Sequence, residues 1–142
     1  MAIKQLIKFN YNESIFLNNL RNKKYVRKNS INSKKISLKK HDLWFKNFLM
    51  NKNNKFYLIK YYKKNIGYIR VELKKNKFIV SWALLNQFKG KGIMAKNLKK
   101  VTNNKKIKYK AIIKKNNLAS INVAKKSGFK FCSSDKNLSF VK

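Results

Sequence analysis

The chain has 142 residues and carries 37 Lys or Arg against 4 Asp or Glu, a formal net charge of +33 at pH 7. Its 44% hydrophobic and 13% aromatic content supports a packed core and excludes wholesale disorder, so a single domain over residues 1–142 is expected. There is no apolar run of the roughly 20 residues that cross a bilayer and no signal-peptide h-region, and one cysteine, Cys132, makes neither an internal disulfide nor a cysteine metal site.

Asn12 reads as the N-cap of a helix over 13–22, where Ile15, Phe16, Leu17 and Leu20 fall at helical spacing. Ser37 opens a second helix, LKKHDLWFKNFLM, with Leu38, Leu43, Trp44, Phe45, Phe48 and Leu49 on its apolar side. The period then changes. Residues 56–62, 66–73 and 78–85 are rich in β-branched and aromatic residues and predict three strands, with turns at Asn65 and at Lys74–Lys77. The segment NQFKGKGIMAKN holds two of only four glycines and leads into a helix over 93–101. A strand over 106–113, a helix over 118–127 closed by Gly128, and two terminal strands, FKFCS and LSFVK, complete the chain. Three hairpin-linked strands followed by a strand–loop–helix–strand unit predict an α+β fold, a mixed and mostly antiparallel sheet flanked by helices.

Only three of the basic residues are arginine (Arg21, Arg27, Arg70), leaving 34 lysines. Lysine, asparagine and isoleucine are the residues of A- and T-rich codons, and these lysines run along the whole chain. Base composition accounts for them better than a nucleic-acid partner does, although the charge favours anionic ligands of any kind. With no disulfide and no membrane segment, a cytoplasmic protein without a metal is expected.

The glycine loop has a physical reading of its own. Gly90 and Gly92 leave the backbone accessible, Lys89 and Lys91 add charge, and the following helix directs unpaired N–H groups at whatever lies before it, which suits a phosphate. FKGKGIMAKNL resembles the Arg-Gly-x-Gly-x-Gly/Ala pyrophosphate loop of the GNAT superfamily of acyl-CoA-dependent N-acyltransferases. NLASINVAKKSGF (117–129) is similar to that family's Asn-x-x-Ser/Ala-Ile run ending in Gly-Phe, and the two occur in the family's order and spacing. The resemblance implies that acetyl-CoA lies along Leu84 and Leu85, with Lys89, Gly90, Lys91, Gly92, Ile93 and Met94 around its pyrophosphate. Asn117 and Ser120 would contact it from the next helix. Two positions depart from the pattern. The family's arginine becomes Lys89 and its last small residue becomes Met94, whose side chain must then point away from the phosphates. A tyrosine that protonates the thiolate in many relatives is Ala124 here.

LRNKKYVRKNSINSKKISLKKHDLWF resembles acetyltransferases of nucleotide-linked amino sugars, including those of pseudaminic-acid-type pathways. The resemblance implies an acceptor side made of Arg21, Asn22, Arg27, Ser30, Ile36, Ser37, His41, Trp44 and Phe45, with Arg70 and Glu72 on the third strand. Two residues are candidate catalytic groups. His41, the single histidine, either meets the acceptor and relays a proton or packs on an aromatic ring. Glu72 either takes the ammonium proton or serves as a solvated partner for a lysine. Trp44 and Trp82 read first as core, Phe56, Tyr61 and Tyr62 as sheet packing, and Cys132 as a small buried residue. The expected reaction is direct attack of an amine on acetyl-CoA in a ternary complex, the amine belonging to a sugar nucleotide. The alternatives are acetylation of a protein N-terminus or small amine, and a non-catalytic nucleic-acid-binding module on the same fold.

Overall fold

The computed structural model describes residues 1–142. Strand β1 (Ala2–Gln5) leads into three helices, α1 (Tyr11–Asn22), α2 (Lys24–Asn29) and α3 (Leu38–Met50). Strands β2 (Lys55–Tyr61), β3 (Lys64–Lys74) and β4 (Lys77–Leu84) follow. The remainder is α4 (Ile93–Val101), β5 (Tyr109–Ile113), α5 (Leu118–Lys126), β6 (Lys130–Ser134) and β7 (Leu138–Val141). The strands form one seven-stranded sheet in the order β1-β2-β3-β4-β5-β7-β6. Every pairing is antiparallel except β4 with β5.

Local chemistry explains most boundaries. The side chain of Asn10, not Asn12, accepts the Glu13 amide at 3.0 Å and starts α1 two residues earlier than expected. Glu13 then binds Lys4 at 2.8 Å, tying β1 to α1. Ser37 caps α3 through the Lys40 amide, and Asn117 caps α5 through the Ser120 amide. Gly128, at φ 100°, ends α5 as a left-handed residue.

Lys75 and Asn76 both take positive φ (48° and 65°), a two-residue turn that fits the twist of β3 and β4. The first hairpin turns at Tyr62 (φ 54°) and Lys63 instead of Asn65, which lies inside β3. As a result Tyr61 and Tyr62 stand on the surface, ring against ring at 4.7 Å, and are not sheet packing. Cys132 is likewise exposed, on β6.

One core cluster joins the sheet to α1 and α3 and also takes in Met94 and Leu98 of α4 and Ala124 of α5. Phe45, Phe56, Leu17 and Leu20 are almost fully buried there, with Phe45 and Phe56 edge-on at 5.4 Å.

Candidate active site

The loop before α4 is open. Lys89 closes a single 3-10 turn by donating its amide to the Asn86 carbonyl at 3.2 Å. From Gly90 to Ala95 no backbone amide finds an acceptor in the chain; the first closed bond of α4 is Lys96 to Gly92 at 3.1 Å. Gly90 and Gly92 both take positive φ (78° and 75°), which turns successive amides toward one side, and a Cβ at either would meet nothing within 4 Å. This is an anion nest opening a helix. It begins one residue later than the sequence suggests, because the Lys89 amide is already used. Met94 is 4% exposed and packs in the core, so its side chain does not fill the nest.

The nest opens onto a cavity of about 950 Å³, at the upper end of the ~300–1,000 Å³ of ligand pockets. Its cleft follows from the one parallel pairing. β4 and β5 bond only where Phe78 meets Tyr109 and Ile79 meets Lys110, and then part. Val80 through Leu84 line the cavity consecutively, which alternating side chains allow only where the backbone edge itself is presented. That edge offers amide and carbonyl groups to an extended ligand. Leu84 lies in this cleft; Leu85 does not, since its amide donates to Ile66 O at 2.8 Å and its carbonyl accepts from Phe88. Ile93, Asn117 and Ser120 complete this end, and the Asn117 NH₂ is free while its Oδ1 caps α5. Lys89 reaches over the Tyr25 ring at 4.7 Å, whereas Lys91 stays exposed outside the cavity.

The other end is walled by α1, α3 and one face of β3. Tyr68, Arg70 and Glu72 alternate along β3 and therefore share that face. Arg70 stacks over Trp44 at 5.2 Å, so Trp44 is half core and half platform. Arg21 donates through Nη2 to Asn32 O, while its Nη1 is buried without a partner. Ser30, His41 and Lys40 also line this end. Asn22 and Arg27 do not. Asn22 binds both the amide and carbonyl of Ile36, and Arg27 binds the carbonyls of Asn22 and Ser33, so both brace the 30–37 loop. Glu72 faces the cavity and pairs with Lys74 at 3.4 Å.

A family model described as an acetyltransferase (GNAT) domain matches residues 10–130. The chain belongs to the GNAT acetyltransferase family. A comparison with curated protein sequences gave no match. Among solved structures, the aminoglycoside acetyltransferase AAC(6')-Ib with paromomycin and acetyl-CoA has a TM-score of 0.80 at 12% identity, covering 100% of this chain and 93% of that one. The ribosomal L7/L12 α-N-protein acetyltransferase RimL with coenzyme A gives 0.81 at 15%, covering 100% and 94%. The microcin C7 self-immunity acetyltransferase MccE with acetyl-CoA and AMP gives 0.75 at 17%, covering 99% and 91%. At these identities the likeness bears on the fold alone.

As a GNAT domain the chain is an acetyl-CoA-dependent N-acetyltransferase, and its electrostatics distinguish the two ends of the cavity. Burial pushes the His41 imidazole down to about 4; Asp42 opposes this, and Arg70 and Arg21 add to it. At neutral pH the ring is therefore uncharged. Burial raises the Tyr68 hydroxyl, against Arg70 and Arg21, so it stays protonated. Burial also lowers Arg21, the cost of a guanidinium left without its full set of acceptors. Ala124, at the family's tyrosine position, is fully buried in the core. Sequence reasoning missed Tyr68, Lys40 and Ser14. Tyr68 lies two residues before Arg70 on one face of β3 and Lys40 four residues before Trp44 on α3, both at a readable period, but Ser14 carries no local signal.

Proposed function

We propose that this GNAT enzyme acetylates the primary amine of an acceptor that carries an anionic group, with a nucleotide-linked amino sugar the best fit. The observation that carries the reading is the buried Arg21 Nη1 without a partner, on the same wall as the Trp44-stacked Arg70. A buried guanidinium N–H left open costs about 1–3 kcal/mol or more, and a phosphate or carboxylate oxygen removes that cost. The wall carries Arg21, Lys40, Arg70 and Lys74 against one carboxylate, Glu72. A polycationic acceptor such as an aminoglycoside meets repulsion there. The sequence likeness of residues 20–45 to nucleotide-linked amino-sugar acetyltransferases supports the same acceptor.

When bound, acetyl-CoA supplies an acetyl group activated as a thioester. The chain's part is mainly positioning. The amides of Gly90 to Ala95 hold the diphosphate, the β4 edge and Asn117 hold the arm, and Arg21 and Arg70 orient the acceptor. His41 and Glu72 are the groups able to take the amine's proton, so that it attacks as a neutral nucleophile.

Thermal unfolding with acetyl-CoA, then thiol release over a panel of a nucleotide-linked amino sugar, an aminoglycoside and a peptide with a free N-terminus, tests both levels. Stabilisation by acetyl-CoA and turnover of the sugar nucleotide are expected. No stabilisation by any acyl-CoA overturns the cofactor site; turnover of only the aminoglycoside or peptide overturns the acceptor.

A further inference from the structure

Helices α1 and α3 meet at Ser14, His41 and Asp42, away from the glycine loop. Ser14 is fully buried; its Oγ lies 3.0 Å from His41 Nδ1 and donates to Asp42 Oδ1 at 2.5 Å. A hydroxyl has one hydrogen and two lone pairs, whereas a carboxylate has lone pairs only. The Ser14 hydrogen therefore goes to Asp42, and the contact with the ring is closed by Nδ1–H donating into Oγ. Nε2 is left as a bare lone pair. It makes no hydrogen bond within the chain and is not sealed from solvent, and His41 lines the acceptor end of the cavity.

We propose that Ser14 and Asp42 are positioning residues that lock His41 in its Nδ1–H tautomer, so that Nε2 faces the acceptor amine and receives its proton. The proposal rests on the N-acetyltransferase reading. The charged groups that act on the ring are Asp42 from its own helix, Arg21 from α1 and Arg70 from β3. Together with burial they keep it neutral at pH 7, with the lone pair available. An acceptor anion seated on the two arginines offsets their share and makes Nε2 more basic when substrate is present. The step balances simply. As the amine nitrogen forms its bond to the acetyl carbon, one of its N–H bonds breaks, the electron pair stays on that nitrogen and the proton forms a new N–H bond at Nε2. The thioester C–S bond would break with its pair leaving on sulfur, and the thiolate would take a proton from solvent. The proton on Nε2 passes to solvent at the cavity mouth.

His41 is the single histidine, so ¹⁵N-histidine labelling of the full chain gives one pair of ring signals. The expected result is a neutral ring protonated at Nδ1 from about pH 6 to 8. Ser14→Ala and Asp42→Ala should each shift the ring toward Nε2–H. Both should lower kcat on the best acceptor of the panel while leaving the KM for acetyl-CoA unchanged. His41→Gln should lower kcat by about 10²-fold. Asp42 is only partly buried on the helix, so its variant serves if the Ser14 variant does not fold. An Nε2–H wild-type ring, a ring already cationic at pH 6, or variants that change the tautomer without changing kcat overturn the proposal, whatever the enzyme's activity. An intact tautomer in a chain that releases no thiol from acetyl-CoA with any acceptor overturns instead the reading on which it rests.

Discussion

Gly92→Ala separates the anion nest from the fold that carries it. Gly92 sits at φ 75° and ψ 5°, immediately before α4, and a methyl there meets nothing within 4 Å. The cost is thus conformational: about 1–2 kcal/mol for an L-residue held left-handed, or a Tm loss of about 2–8 °C in a domain of this size. If the backbone relaxes, the Ile93 and Met94 amides swing away from the ligand. A hydrogen bond to a charged group is worth about 1.5–3 kcal/mol, so one misdirected amide weakens acetyl-CoA binding about 10- to 100-fold. Thermal unfolding with and without acetyl-CoA, backed by calorimetric titration, reads both quantities. Gly128→Ala is the control. It has the same kind of strain (φ 100°) at the end of α5, with only the flexible Lys142 Cε at 3.3 Å, so it should lose stability and keep its affinity. Gly92→Ala binding acetyl-CoA with the wild-type Kd would refute the nest.

Arg21→Met should raise the KM for the acceptor by about tenfold or more while sparing acetyl-CoA, since the lost bonds are to a charged group; steady-state kinetics with each substrate varied checks this. Gly67→Ala should fail to fold or lose most of its stability, because the new Cβ would lie 2.6 Å from the Ala83 carbonyl and 2.8 Å from Leu84 Cδ1 across the β3–β4 pair; solubility and circular dichroism report it. Stability should also fall in mild acid. The His41 pKa is depressed in the fold to about 4 from 6.5, so the unfolded chain binds the extra proton, and stability present above pH 6.5 is lost as pH falls toward 4. The loss is of the order of 2–3 kcal/mol, and with one histidine and four carboxylates in the chain few other groups titrate in that window. Denaturant unfolding from pH 7 to 4 should show the loss in the wild type and not in His41→Gln.

Patterns with a period or a required backbone angle were legible in the sequence. Leu17 and Leu20 marked the buried side of α1, the Lys74–Lys77 turn followed from residues that tolerate positive φ, and Gly90, Gly92 and Gly128 stand where the chain is left-handed. What escaped was set by tertiary contact. β1 is a four-residue, largely exposed edge strand held by β2, and α2 buries only Val26 in six residues. Neither is long enough to show a period. The Tyr62 turn breaks the usual residue preference, which is why Asn65 drew the prediction. Around the cavity, the open amides of the glycine loop and the Asn117 cap were readable because both are local. Leu85, Asn22 and Arg27 were not, because their polar groups are taken by Ile66, Ile36 and Ser33 through pairings that only the folded chain creates.

The same distinction resolves the charge. Lysine is spread over the whole chain and says little about any one place. The three arginines do not follow it: Arg21 and Arg70 wall the acceptor end, and Arg27 braces the loop beside it. A guanidinium does there what an ammonium cannot. Arg70 sits over the Trp44 ring, and the planar fork of Arg21 serves a backbone carbonyl on one nitrogen while leaving another for an anion. Three of the four carboxylates are equally selective, since Glu13 anchors β1 to α1, Asp42 accepts from Ser14, and Glu72 faces the cavity, while Asp135 is exposed between β6 and β7. In a chain so uniformly basic, the arginines mark one place among many lysines, and under the proposed function the acceptor's anion would sit beside Arg21 and Arg70, between α1 and β3.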